Sequence, residues 1–187
     1  MDPLPSTVSR LPIWTIGHSN HPLQVFLEIL EAHRIERVLD VRRFPVSRRY
    51  PHFMAQSLSA SLVSAGISYA GMPELGGRRR ARPDSPHTAW KVEAFRGYAD
   101  FMDTPAFVEG LERLMALAGE GHSALMCAEA LPWRCHRSLI ADALLARGWK
   151  VFEILSGTEA RGRKLPAFAR LEGTRVIYNG PQPTLPL

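Results

Sequence analysis

A chain of 187 residues, 45% hydrophobic and 22% charged, is long enough to bury a core within one domain, and its balance is that of a soluble globular protein. No run approaches the roughly 20 apolar residues of a membrane helix, Met1–Leu11 lacks the charged start and apolar middle of a secretory leader, and two cysteines are too few for a disulfide framework, so the expected home is the cytoplasm. The formal charge of +5 rests almost wholly on arginine, since Lys91, Lys150 and Lys164 are the three lysines.

Ile13-Trp14-Thr15-Ile16 is a β-prone run that ends at Gly17 and predicts a first strand. After His18-Ser19-Asn20-His21-Pro22, the residues Leu23, Phe26, Leu27 and Leu30 recur at helical spacing, with Pro22 in the first turn. Val38-Leu39-Asp40-Val41 predicts a second strand, followed by an Arg- and Pro-rich loop to His52. Leu58, Leu62 and Ala65 mark a second helix closed by Gly66, and Ile67-Ser68-Tyr69-Ala70 a third strand. The stretch from Gly71 to Thr88 has no hydrophobic period and is too long for an ordinary connection, which points to a functional or mobile loop. Helices are predicted around Phe95–Met102 and Pro105–Leu117, a buried strand at Ala124–Cys127, a helix from Cys135 to Arg147 and a fifth strand at Val151–Ile154. Val176-Ile177-Tyr178 either adds a strand or lies on the surface.

Strands alternating with helices at this spacing imply right-handed crossovers and a parallel sheet covered on both faces. The expected fold is α/β: a three-layer Rossmann-like or flavodoxin-like sandwich with a mainly parallel sheet of about five strands. The whole chain reads as one domain, with its core over about residues 13–155 and with residues 1–11 and 159–187 peripheral.

Open parallel sheets bind ligands beyond the carboxyl ends of their strands, and polar chemistry collects there in this sequence. Gly17, His18 and Ser19 follow the first strand, while Asp40, Arg42 and Arg48 lie at or past the end of the second. Tyr69 is close to the end of the third, and Cys127 ends the fourth, ahead of Glu129, Arg134, Cys135, His136 and Arg137. Each has a plainer reading too. Gly17 relieves a turn, His18 caps a helix or satisfies backbone groups, Asp40 pairs with Arg42, Tyr69 packs with a wet hydroxyl, and Cys127 is a small buried hydrophobe. Codon bias is the plain explanation of the arginine excess, but clustering at 42–49 and again at 78–82 is harder to blame on it and fits an anionic partner or a solvated basic face.

The segment from Cys127 to Arg137 carries the sharpest signal. A thiol such as Cys135 at a helix start, flanked by Arg134 and Arg137, is expected to have a lowered pKa next to a ready anion site. Glu129 is a candidate proton carrier. Six residues separate Cys127 from Arg134, one more than in the cysteine phosphatases. There is no Cys-x-x-Cys pair, dinucleotide fingerprint, phosphate-loop lysine or zincin helix. A zinc site from Cys127, Cys135 and His136 is set aside because adjacent ligands are awkward, so no metal is expected and the cofactor is unknown.

These residues together resemble the domain-of-unknown-function family 488. The likeness rests on Thr15-Ile16-Gly17-His18-Ser19, on Leu39-Asp40-Val41-Arg42 with Pro45 and Ser47-Arg48, and on Tyr69 with Leu75-Gly76-Gly77. It continues through Tyr98 before Phe101-Met102 and through Cys127-Ala128-Glu129 with Cys135-His136-Arg137, spanning about Trp14 to Ile154. Glu153 departs from it, standing where members carry His. The resemblance implies a Rossmann-like fold and a shared polar pocket, with enzymes acting on nucleotides or nucleic acids as the expected function.

The leading expectation is an enzyme of hydrolase or transferase type acting on a phosphate-bearing substrate. Catalysis falls to Cys127, Glu129, Cys135, His18 and Asp40, and ligand binding to Gly17, Ser19, Arg42, Arg48, Tyr69, Arg134, His136 and Arg137. A non-catalytic sensor for an anionic small molecule or nucleic acid is the alternative. A thiol-redox protein is the third reading, and it requires the seven residues between Cys127 and Cys135 to fold back.

Overall fold

The structure is a computed structural model that describes residues 11–181; the expectations for residues 1–10 and for the Pro-rich end lie outside them. Five strands are parallel: β1 (Ile13–Gly17), β2 (Arg37–Asp40), β3 (Ser68–Gly71), β4 (Ser123–Cys127) and β5 (Val151–Ile154). Every residue of β4 is buried, as a central strand covered on both faces requires.

One face carries α1 (Leu23–Ala32) and α2 (Ala55–Ser64). Phe26, Ile29 and Leu30 of α1 and Leu58 and Leu62 of α2 pack there with Ile16, Val38, Ala124 and Met126 of the sheet. The other face carries α3 (Glu93–Met102), α4 (Pro105–Ala118) and α5 (Arg137–Leu145), whose Tyr98, Phe107, Leu111, Leu139 and Leu144 cover Ile13, Leu39 and Leu125. Both clusters follow from strand alternation, because successive side chains point to opposite faces. Helix α4 starts where its sequence dictates: the Thr104 side chain accepts the Phe107 N–H and Pro105 fills the first helical position.

The sheet has six strands in the order β3-β2-β4-β1-β5-β6, one more than expected. The extra strand, β6 (Ala160–Gly162), runs antiparallel to β5. Its three residues are too short and too polar to carry a hydrophobic period. Two further strands, β7 (Ala169–Glu172) and β8 (Arg175–Tyr178), form a hairpin. Part of the segment read as peripheral, residues 160–178, packs against the domain. Val176 and Tyr178 belong to the core cluster of the α3–α5 face, and the Tyr178 hydroxyl donates to Asp142 Oδ2 on α5 at 2.9 Å. Arg163 ties the same segment down through Asp142 and Glu153.

Helix α5 is also shorter than expected. A 3₁₀ turn, Pro132–Arg134, precedes it, Cys135 is extended (φ −133°, ψ 140°), and the helix proper begins at Arg137. Among the described residues, no helix is long and apolar enough to cross a membrane.

Candidate functional site

The chain leaves β1 for β2 with α1 on one face and leaves β4 for β5 with α5 on the other, so β1 and β4 flank a topological switch point, where open α/β sheets take their ligands. Gly17 pairs in register with Cys127 at that edge. The two chains stay zipped beyond the strands, His18 N–H donating to the Cys127 carbonyl and Ser19 N–H to that of Ala128, both at 2.9 Å. Gly17 is a glycine because the 128–130 loop crosses directly over it: a methyl carbon there would overlap the Glu129 carbonyl. Arg137 holds the same loop from below, donating to the carbonyls of Glu129 and Ala130. It is 1% exposed, a buried clamp on the loop.

Asp40 is equally occupied. Its carboxylate accepts the Arg42 backbone N–H at 3.1 Å, Arg42 Nε at 2.8 Å, Arg42 Nη2 at 2.6 Å and the Tyr69 hydroxyl at 2.7 Å. Arg42 spends its remaining donors on the Phe53 carbonyl (2.7 Å) and on His18 Nε2 (3.2 Å). Burial first, and then the adjacent Asp40 carboxylate, pushes the Tyr69 hydroxyl well up, so it stays a donor. The plainer reading of Asp40, its pairing with Arg42, is observed. This quartet braces the floor of the site, and its charges are already neutralised.

His18 belongs to that brace. Its Nδ1 donates to the Ser19 carbonyl at 2.9 Å, leaving Nε2 as the acceptor for Arg42, and the ring stacks on Phe53 at 4.0 Å between centroids. Burial and the Arg42 charge hold its pKa down at about 4, against the pull of Asp40 and the Ser19 carbonyl, with His52 adding a further downward push. Because the folded value lies below the ordinary 6.5, the neutral ring contributes stability above pH 6.5 and loses it as pH falls toward 4. About 2 kcal/mol should be gone by pH 5. Urea denaturation at pH 8 and pH 5 checks this. His18→Gln should lose about 2 kcal/mol less than the natural protein over that interval, and equal losses would show that His18 does not titrate as described.

Above the brace lie two adjoining hollows of about 290 and 630 Å³, which share Arg42, Phe44, Ala128, Glu129 and Arg134. Cys127, Cys135, His136, Arg43, Gly77 and Arg78 line the smaller, and His18, Ser19, Arg49 and Tyr50 the larger. Glu129 and Arg134 are exposed and face both.

The cysteines and His136 meet at the floor of the smaller hollow. Cys127 Sγ and Cys135 Sγ lie 3.9 and 3.8 Å from His136 Nδ1, and the three atoms all fall within 4.8 Å of one another. The objection that neighbours 135 and 136 cannot share a site does not hold. Extended backbone at Cys135 and the helical turn at His136 swing both side chains toward Cys127. The loop does fold back, as a thiol pair requires. A hydrogen bond to Cys135, together with burial, drives the Cys127 thiol well up. Burial also raises Cys135, but the bond from Cys127 and the Arg137 charge outweigh it and bring that thiol to about 7. The pair thus shares one proton, with the negative charge favoured on Cys135.

The site residues read from sequence therefore divide into four groups. Cys127, Glu129, Cys135, His136 and Arg134 line the open hollow. Gly17, Asp40, Arg42, Tyr69 and Arg137 support it from beneath, with Arg42 also forming part of its wall, while His18 and Ser19 face the larger hollow. Arg48 is exposed and lines neither. Glu153, the departure on β5, is paired with Arg161 and Arg163 away from both. Arg43, Phe44, Gly77 and Arg78 were not among the site residues read from sequence. The arginine clusters pointed to the right loops, but which arginine faces outward depends on the turn after β2.

A family model described as Domain of unknown function DUF488 matches residues 22–144. No curated protein and no solved structure matches the chain.

Proposed function

The chain belongs to the DUF488 family, and from that premise we propose that it is a cytoplasmic enzyme acting on a phosphate-bearing substrate, a nucleotide or nucleic acid, in the paired hollows at the β1/β4 edge. One observation carries this reading. Arg43, Arg78 and Arg134 surround the smaller hollow, all three exposed, and among the described residues none is paired with a carboxylate. Arg42 and Arg137, expected to hold phosphate, are spent on Asp40 and on loop carbonyls. These three guanidiniums, which no carboxylate among the described residues neutralises, take that role instead, as flat forks suited to phosphate oxygens. Glu129, exposed between the hollows, is placed to move a proton to or from a group bound there. Two buried thiols outside any disulfide fit a reducing compartment.

Phe44 favours a base-bearing ligand. It is 57% exposed, and Arg43 and Arg78 lie over its ring at 5.6 and 5.8 Å. An exposed aromatic ring between cations is a stacking platform for single-stranded nucleic acid, which also supports a second reading, a binding protein without turnover.

Thermal shift with nucleoside monophosphates and anisotropy with a single-stranded oligonucleotide test both. A ligand that binds only the native state raises the melting temperature, and oligonucleotide binding should weaken with salt. The triple variant Arg43→Ala, Arg78→Ala, Arg134→Ala should bind at least about tenfold more weakly, with a flatter salt dependence. Salt-independent binding, or equal binding by the triple variant, sinks the phosphate reading. Glu129→Gln separates the two functions: bound ligand with lost turnover identifies the enzyme, whereas binding with no turnover in either protein identifies the sensor.

A further inference from the structure

Cys127, Cys135 and His136 have more in common than burial. The His136 Nε2 lies 3.0 Å from the Val41 carbonyl. A carbonyl only accepts, so Nε2 carries the proton and Nδ1 presents a bare lone pair to the two sulfurs. That tautomer, fixed by a backbone carbonyl on the far side of the ring, is how proteins prepare a histidine to bind a metal. One lone pair cannot serve two thiols at once, and contacts of 3.8 and 3.9 Å are weak ones for sulfur. Donors on a tetrahedral zinc lie about 3.5–3.8 Å apart, given Zn–S near 2.3 Å and Zn–N near 2.0–2.1 Å. The three atoms here are already within 4.8 Å of one another, so inward shifts of some tenths of an ångström to about one ångström would seat an ion.

We propose that Cys127 Sγ, Cys135 Sγ and His136 Nδ1 form a binding site for a tetrahedral, thiolate-preferring divalent cation, zinc being the natural occupant, with its fourth position open to the hollow beneath Arg134 and Glu129. Two thiolates and one imidazole form a soft donor set that selects zinc or cobalt over magnesium or calcium. Binding leaves both sulfurs as thiolates, so the occupied floor is electrically neutral. Gly77 leaves the space next to the donor nitrogen, where a methyl carbon would lie 2.9 Å from Nδ1. The fourth position faces the side on which Cys127, Cys135, His136, Glu129 and Arg134 line the hollow, which is the arrangement of a site that admits water or substrate. The proposal stands whether or not the substrate carries phosphate.

The test is a titration of the full chain, reduced and freed of metal by a chelator, with cobalt in the absence of any phosphate compound. Saturation at one equivalent, intense visible bands of tetrahedral cobalt, a near-ultraviolet thiolate-to-cobalt charge-transfer band and their bleaching by zinc are expected. Protons displaced from the thiols should appear in a weakly buffered solution at neutral pH. Cys127→Ser and Cys135→Ser should each lose the charge-transfer intensity of one sulfur and more than the about 10–100-fold in affinity that outer-shell changes cost. Gly77→Ala, which alters no donor, should weaken binding while keeping both sulfur bands. Native-like circular dichroism shows that the variants fold. No saturable charge-transfer band, or one whose intensity is undiminished in both serine variants, overturns the proposal.

Discussion

Asp40→Asn is expected to cost about 3–5 kcal/mol of folding stability, the loss typical when one partner of a buried ion pair is removed. The carboxylate is 1% exposed and Arg42 is 6% exposed, so water cannot replace what the amide fails to supply. Three Arg42 groups, its backbone N–H, Nε and Nη2, and the Tyr69 hydroxyl all point at the two carboxylate oxygens. An amide offers one acceptor oxygen and turns two donors toward the guanidinium. Tyr69→Phe removes a single hydrogen bond and should cost about 1 kcal/mol. Replacing the pair together, Asp40→Leu with Arg42→Met, should cost less than Asp40→Asn alone, because no charge is then left unpaired. Urea denaturation of the four proteins gives the ordering. An Asp40→Asn loss below about 1 kcal/mol would mean that the quartet does not brace the site.

That brace also shows how far the sequence reached. The strands and helices were legible because apolar runs and helical spacing are strong local signals, and Asp40 with Arg42 was visible as an i, i+2 pair at the end of the second strand. The assignment of roles was not. Arg42 and Arg43 are adjacent and chemically identical in sequence, yet the first turns inward onto Asp40 and the second outward past Phe44. No periodicity predicts that turn. The same holds at the cysteines: seven intervening residues say nothing about a 3₁₀ turn followed by extended backbone at Cys135, and that local geometry is what brings 127, 135 and 136 together. Strand β6 was missed for a third reason. Its register on β5 is held by Arg161 and Arg163 reaching Glu153, tertiary contacts that a three-residue polar segment does not advertise.

Gly17→Ala should be among the most damaging single changes available to this chain, although it adds one methyl group. Overpacking a core by a methylene usually costs about 1–3 kcal/mol because flexible side chains give way. Here the obstacles are the Glu129 carbonyl and the Ala130 Cα, which are backbone. The 128–130 loop is fixed from two sides, by Arg137 under its carbonyls and by the Ser19 amide on Ala128. Either those bonds break or the end of β1 withdraws from Cys127, which opens the hollow in both cases. The expected loss is about 3 kcal/mol or more, with faster amide exchange at residues 17–19 and 128–130 and weakened ligand binding. Gly157→Ala is the matched control. The nearest atom to its added methyl, on Ile29, is 3.9 Å away, so stability should change by less than about 1 kcal/mol. If Gly17→Ala is as stable as that control and its loop exchanges no faster, then the loop does not rest on Gly17, and the wall shared by the two hollows is not held as described.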